Sequence, residues 1–177
     1  MSPTRIALAR LLRLSLLAAA VCASASTWAD DYADVSQLMK SGKLQEALAK
    51  ADQYLASKPR DPQMRFLKGV AQSESGDKAA AIETYTRLTQ DYPELPEPFN
   101  NLAVLYAAQG EFEKARTALE TAIRANPDYA TAHENLGDVH VRLAGQSYAR
   151  AQQLDPGNQA VAAKLAATRQ LLTQPAR

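Results

Sequence analysis

The sequence predicts an all-α fold of stacked helical hairpins, and three observations carry that reading. Gly42, Gly76 and Gly110 stand 34 residues apart, as do Ala47, Ala81 and Ala115, and Pro59, Pro93 and Pro127. Three residue types recurring three times in one register mark an internal repeat. Within the period, Phe99, Leu102, Ala103 and Tyr106, and then Leu119, Ala122 and Ile123, fall at helical spacing. Composition agrees: hydrophobic residues make up 46% and aromatics only 6%, so the apolar content leans on Ala and Leu, which favour helix.

The first 29 residues read as an address. Arg5, Arg10 and Arg13 precede an uncharged run from Leu14 to Ala25, and no acidic residue appears before Asp30. A basic region, a short apolar region and small residues in that order form a signal peptide. The apolar run is too short to cross a bilayer, which needs roughly 20 residues. Cleavage after Ala25 or after Ala29 satisfies the small-residue rule. The second is preferred because the mature chain then starts on Asp30 and Asp31. That mature chain has 148 residues, and losing three Arg takes the formal charge from +1 to −2. It also loses Trp28 and Cys22, the only Trp and Cys. Lipidation at Cys22 is disfavoured by Val21 and Ala19, which do not match the small residue before the cysteine and the Leu three before it that a lipoprotein would show.

The mature chain then reads as successive hairpins. In 30–61, Gly42, Ala47 and Pro59 are in register, but Asp31 and Asp34 occupy core positions, so the first helix is short and polar. In 62–95, Gly69, Gly76, Ala81, Tyr85 and Pro93 match, with Arg65 and Lys68 replacing apolar residues and Phe66 and Leu67 compensating. In 96–129, Gly110 sits where the chain reverses, and Gly there adopts positive φ without steric cost. Ala115 is small where two helices cross, and Pro127 ends the second helix. In 130–156 the spacing from Pro127 to Pro156 is 29 rather than 34, a five-residue deletion at the turn. Ala132, Leu136, Val139, Leu143, Ser147, Ala151 and Leu154 keep one helical phase across the gap. This favours one continuous helix from 130 to 154, with a tight hairpin at Gly145–Gln146 as the alternative. Asn158 caps a last helix in 157–177, whose Val161, Leu165, Leu171 and Leu172 are expected to cover the open end of the stack.

On these residues the chain resembles the tetratricopeptide repeat family, whose unit is a 34-residue helix–turn–helix, over roughly residues 30–156. The resemblance implies a right-handed superhelical solenoid with four repeats, the last irregular, and a C-terminal capping helix. Phe99 stands in place of the family's usual Trp. His133 and His140 occupy positions where the family packs aromatic residues and are expected to be partly buried; Gly69 and Gly137 are expected at helix crossings.

Several function classes are excluded by what the sequence lacks. Near-neutral charge leaves no basic footprint for nucleic acid. One Cys permits neither an internal disulfide nor a Cys-based zinc site. His133 and His140 are seven residues apart, about 10 Å along a helix, beyond the reach of one metal ion. All seven glycines have structural assignments, leaving no phosphate-cradling loop. No nucleophile–base pair stands out, so neither an enzyme nor a cofactor is expected.

What the resemblance does imply is a concave groove that binds an extended peptide or partner helix. Transferred residue by residue, its lining would be Gln63, Phe66, Leu67, Val70, Ser73 and Glu74; Glu97, Asn100, Asn101, Val104, Ala107 and Ala108; and Thr131, Glu134, Asn135, Asp138, Val141 and Arg142. The strongest candidates for partner contact are Asn100, Asn101, Glu134, Asn135 and Asp138, with Phe66 and Val104. Asn101 and Asn135 recur 34 apart, and an amide can bracket a peptide group with a donor and an acceptor. An equal alternative is that they bond within the repeat. The family's carboxylate-binding branch needs basic residues where this chain has Thr131 and Asn135, which argues against capture of a C-terminal carboxylate. Glu97, Glu134 and Asp138 favour a neutral or basic peptide. The expectation is thus a non-catalytic adaptor of the bacterial envelope, periplasmic and without a membrane span. The rival expectations are a self-associating structural protein, that is a homo-oligomer, and a lipid-anchored assembly factor of the pilus type.

Overall fold

The computed structural model describes residues 31–173, which are helices joined by short turns with no strand among them. The signal-peptide reading, both cleavage points, Trp28 and Cys22 lie outside the described residues. The helices are α1 (31–40), α2 (Leu44–Ser57), α3 (Pro62–Glu74), α4 (Lys78–Asp91), α5 (Pro96–Ala108), α6 (Phe112–Ala125), α7 (Ala130–Leu154) and α8 (Gln159–Thr173). The chain divides into two compact units between Asp77 and Lys78. The division falls between α3 and α4, inside the repeat read as 62–95.

The three turn glycines carry the repeat. Gly42, Gly76 and Gly110 have φ of +72°, +88° and +77°, and no other residue type takes positive φ among the described residues. A side chain at such a backbone angle costs roughly 1–2 kcal/mol, which is why the period is punctuated by Gly. In the turn after α5, Gly110 N–H donates to Ala107 O and Glu111 N–H to Tyr106 O, satisfying carbonyls that the helix end leaves open.

In the N-terminal unit α2 packs on α3 over a core of Val35, Ala47, Ala51, Tyr54 and Met64. Asp61 caps α3 by accepting from Met64 N–H at 2.8 Å, and Pro62, which has no N–H to lose, takes the first helical position. The other carboxylate oxygen of Asp61 accepts from the Tyr32 hydroxyl at 2.6 Å and from the Tyr54 hydroxyl at 3.2 Å. One side chain thereby ties α1, α2 and α3 together. Desolvation, and then the hydrogen bond to Asp61, push the Tyr32 phenol well above its ordinary range. Asp34, read as occupying a core position, is half-buried and pairs with Lys50, and Lys68 pairs with Asp52 at 2.6 Å. Asp34 and Lys68 thus meet opposite charges at the edge of the core.

In the C-terminal unit α5, α6 and α7 share a core of Ala103, Ala115, Ala118, Leu119, Ala122, Ala132 and Val139, with Phe99, Tyr106, Leu136 and Leu143 packed against it. Five of the seven are Ala, so the helices approach closely and the larger side chains fill the margins. α7 is a single helix of 25 residues, and α8 packs against it. At Gly145 a Cβ would stand 3.4 Å from Thr168 Oγ1, so the glycine that weakens the middle of α7 also admits α8. Asn158 caps α8 by accepting from Val161 N–H at 3.1 Å.

Four expectations need correction, three of them with one cause. His133 and His140 are both exposed rather than partly buried. Gly137 is not at a crossing: a Cβ there would meet nothing within 4 Å. The cause is common to all three. The corresponding residues Phe99, Ala103 and Tyr106 pack beside α6, but with the turn deleted no second helix returns along the first half of α7. Leu171 is also not part of the cover; it is 57% exposed, standing about 100° of helix off the face that carries Leu172.

Candidate functional site

The candidate partner-binding residues of the C-terminal unit lie on α5 and the first half of α7, two helices that touch. α5 runs from Pro96 to Ala108, and its Asn100, Asn101 and Val104 lie on the side of the helix away from Phe99, Leu102 and Tyr106. Those three instead line a cleft of about 420 Å³ against Glu113, Lys114 and Thr117 of α6.

The asparagines form a directional chain. Asn135 Nδ2 donates to Asn100 Oδ1 at 2.8 Å, Asn100 Nδ2 to Asn101 Oδ1 at 3.4 Å, and Asn101 Nδ2 to the Tyr85 hydroxyl at 3.0 Å. Each amide gives its nitrogen to the next, so all three are fixed in one orientation. Asn100 is only 4% exposed; it is the internal link rather than an open contact. A buried amide without partners would cost about 1–3 kcal/mol, and this chain removes that penalty. Asn135, at the outer end, keeps its Oδ1 acceptor and one N–H for a ligand. Of the two asparagines read as a pair, Asn101 is therefore the more committed to internal bonds. Tyr85, which closes the chain from α4, was read from the repeat only as core; its side-chain partner 16 residues on is visible only in three dimensions.

Around these amides the charges are uncompensated. Glu97, Glu134 and Asp138 are exposed and take part in no ion pair among the described residues. The carboxylates of α6 and its N-cap differ: Glu111 pairs with Lys114, and Glu113 and Glu120 both pair with Arg116 at 3.0 and 2.9 Å. Arg142, one turn from Asp138, turns away from it and stacks over the Phe112 ring at 5.7 Å. Burial, and then the charge of Glu97, push the Tyr129 phenol up, which places that carboxylate's field at the entry to α7. Val104 adds an apolar patch, 49% exposed. Phe66 belongs to α3 of the N-terminal unit, where it is half-buried.

No group of three or more His, Cys, Asp or Glu suited to a metal ion occurs among the described residues, and none of their helices is long and apolar enough to cross a membrane.

Comparison with known proteins agrees with this architecture. Residues 32–96 match a model described as tetratricopeptide repeat, and residues 105–143 one described as TPR repeat. A probable biofilm formation methyltransferase, WspC of Pseudomonas putida, is 31% identical over 93 residues, which is 52% of this chain and 22% of that protein. The chain thus spans about a fifth of that relative's length. Among solved structures, the thermophilic TPR protein TTC0263 of Thermus thermophilus superposes with a TM-score of 0.61 at 23% identity, covering 81% of this chain and 82% of that one. The Yersinia enterocolitica type III secretion chaperone SycD, in complex with a peptide of the translocator YopD, gives a TM-score of 0.60 at 16% identity, covering 66% and 95%. At these identities the structures bear on the fold. With helical hairpins in 34-residue register, a left-handed Gly at each turn and two repeat models that together span most of residues 32–143, the chain belongs to the tetratricopeptide repeat family.

Proposed function

We propose that this protein is a non-catalytic adaptor of the bacterial envelope that holds a peptide or partner helix against the α5/α7 face. The observation that carries the proposal is the contrast in charge: Glu97, Glu134 and Asp138 stand unpaired on that face, while both carboxylates of α6 are paired with Arg116 of the same helix. Leaving three like charges together is unfavourable in the free protein and is relieved by a ligand carrying Lys or Arg. Asn135 Oδ1 supplies a neutral acceptor between them, and Val104 supplies apolar contact. That a structural neighbour, SycD, is seen with a peptide bound supports the same mode of use. The order of basic, apolar and small residues in 1–29 supports export, and the mature N-terminus fixed by mass spectrometry decides between cleavage and acylation at Cys22.

The test is crosslinking capture from envelope extract with the wild-type chain, an Asn101→Ala/Asn135→Ala variant and an Arg116→Ala/Glu120→Ala variant. Loss of the captured protein with the asparagine variant alone supports the proposal. Capture unchanged by the asparagine variant and abolished by the α6 variant overturns it.

A further inference from the structure

We infer that α7 is a dimerisation helix: two copies of this chain pair their α7 helices antiparallel, each supplying the helix that the other's fourth repeat lacks. The proposal goes beyond partner binding on the α5/α7 face and starts from the five-residue deletion. In residues 96–129 the turn at Gly110 lets α6 fold back, so that Ala115, Leu119 and Ala122 cover Phe99, Ala103 and Tyr106. With that turn removed, the matching halves of the fourth repeat lie end to end in α7 and cannot meet within one chain. His133, Gly137 and His140 are left exposed, and Ala144, Tyr148 and Ala151 are only half-buried beneath α8.

These six residues form one stripe along α7, and the stripe is complementary to itself. Applying the pairing of α5 and α6 puts His133 opposite Ala151, Gly137 opposite Tyr148 and His140 opposite Ala144 of a second copy. A two-fold axis near Arg142 repeats each contact, as an isologous interface requires. Sizes match in this register: Gly137, with nothing within 4 Å of a Cβ position, leaves the space that a Tyr148 ring fills. Charges match too. Lys164 of α8 lies over the Tyr148 ring at 5.7 Å and has no ion pair among the described residues. With Tyr148 opposite Gly137, the second copy's Lys164 arrives within a turn of Glu134 and Asp138, both unpaired. A 25-residue helix is about 37 Å long, and contact along that length in both halves buries an area on the order of the ~800 Å² per partner of a standard interface.

Light scattering over a concentration series of the processed full-length chain tests this, with circular dichroism confirming that each variant is folded. The wild type is expected to form dimers. Gly137→Leu, which the open single chain accommodates, is expected to weaken dimerisation by about tenfold or more. Insertion of five residues copied from 110–114 between Leu143 and Ala144 restores the hairpin and is expected to give a monomer. A third variant carries Cys22→Ala, Gly137→Cys and Tyr148→Cys. It is expected to oxidise to a covalent dimer, because the two cysteines lie about 16 Å apart on one helix and cannot join within a chain. A monomer at every concentration overturns the proposal. So does a dimer that survives both Gly137→Leu and the insertion; because Glu134 and Asp138 serve both contacts, peptide capture at Asn101 and Asn135 is read separately in the insertion variant.

Discussion

The side-chain amide of Asn135 donates to Asn100 Oδ1 at 2.8 Å, joining α7 to α5 across 35 residues of sequence. Because Asn100 is buried, the bond is shielded from water, and Asn100→Ala removes the central link of the chain that ends at Tyr85. We expect Asn100→Ala to cost about 1–3 kcal/mol in urea unfolding, because it leaves polar groups of Asn135 and Asn101 unsatisfied. Asn135→Ala, at the half-exposed end, should cost less, because water reaches the vacated site.

Glycine substitutions should separate by backbone angle and by space. Gly110→Ala places a side chain at φ +77° and should destabilise by about 1–2 kcal/mol. Gly137→Ala, in open helix, should stabilise a dilute sample by up to about 1 kcal/mol. Gly145→Ala should fall between, since its helix gain is offset by the Cβ pressing on Thr168 Oγ1 at 3.4 Å. Thermal and urea unfolding of the three variants measure the order.

The Tyr32–Asp61 bond sets a dependence on alkaline pH. The Tyr32 phenol titrates higher when folded than the ordinary 10.0, so above that value the native state holds a proton that the unfolded chain has lost. Stability from this contact is complete below pH 10 and declines as pH rises further. Tyr32→Phe should cost about 1–3 kcal/mol at neutral pH and should flatten the alkaline limb of a stability–pH profile. An alkaline limb identical in both proteins would count against the contact.

Binding of a cationic peptide to the α5/α7 face should be sensitive to salt. Glu97→Gln with Asp138→Asn should reduce affinity and also reduce the fall of affinity between low and physiological ionic strength, where the screening length is about 8 Å. Isothermal titration at two salt concentrations reads both effects. The Arg116→Ala control on α6 should change neither, because exposed pairs of that kind are worth only about 0–1 kcal/mol.

Much of the helical array is legible in sequence because it rests on local backbone demands. Gly42, Gly76 and Gly110 mark the only left-handed turns among the described residues, and Ala115 marks the place where α5 and α6 are in close contact. What escaped was burial that depends on a distant partner. His133 and His140 stand at positions that are packed in a complete hairpin, but a position is buried only if the helix opposite it exists. Asn100 and Asn101 are neighbours in sequence, yet about 100° of helix separates them, and this alone buries one and leaves the other half-exposed. The three-way contact of Tyr32, Tyr54 and Asp61 draws on three helices and has no signature in any one of them.

The unbroken α7 has a last effect, on the parity of the array. In a regular series, successive helices alternate up and down, and every first helix of a pair points the same way. Skipping one reversal means that α8, which carries the residues of a first helix, runs in the direction of a second. A second helix joined after Thr173 to complete the pair that α8 begins would give a hairpin upside down relative to α5 and α6, with its binding positions turned out of line. The missing five residues thereby limit the like-directed first helices of the C-terminal unit to α5 and the first half of α7.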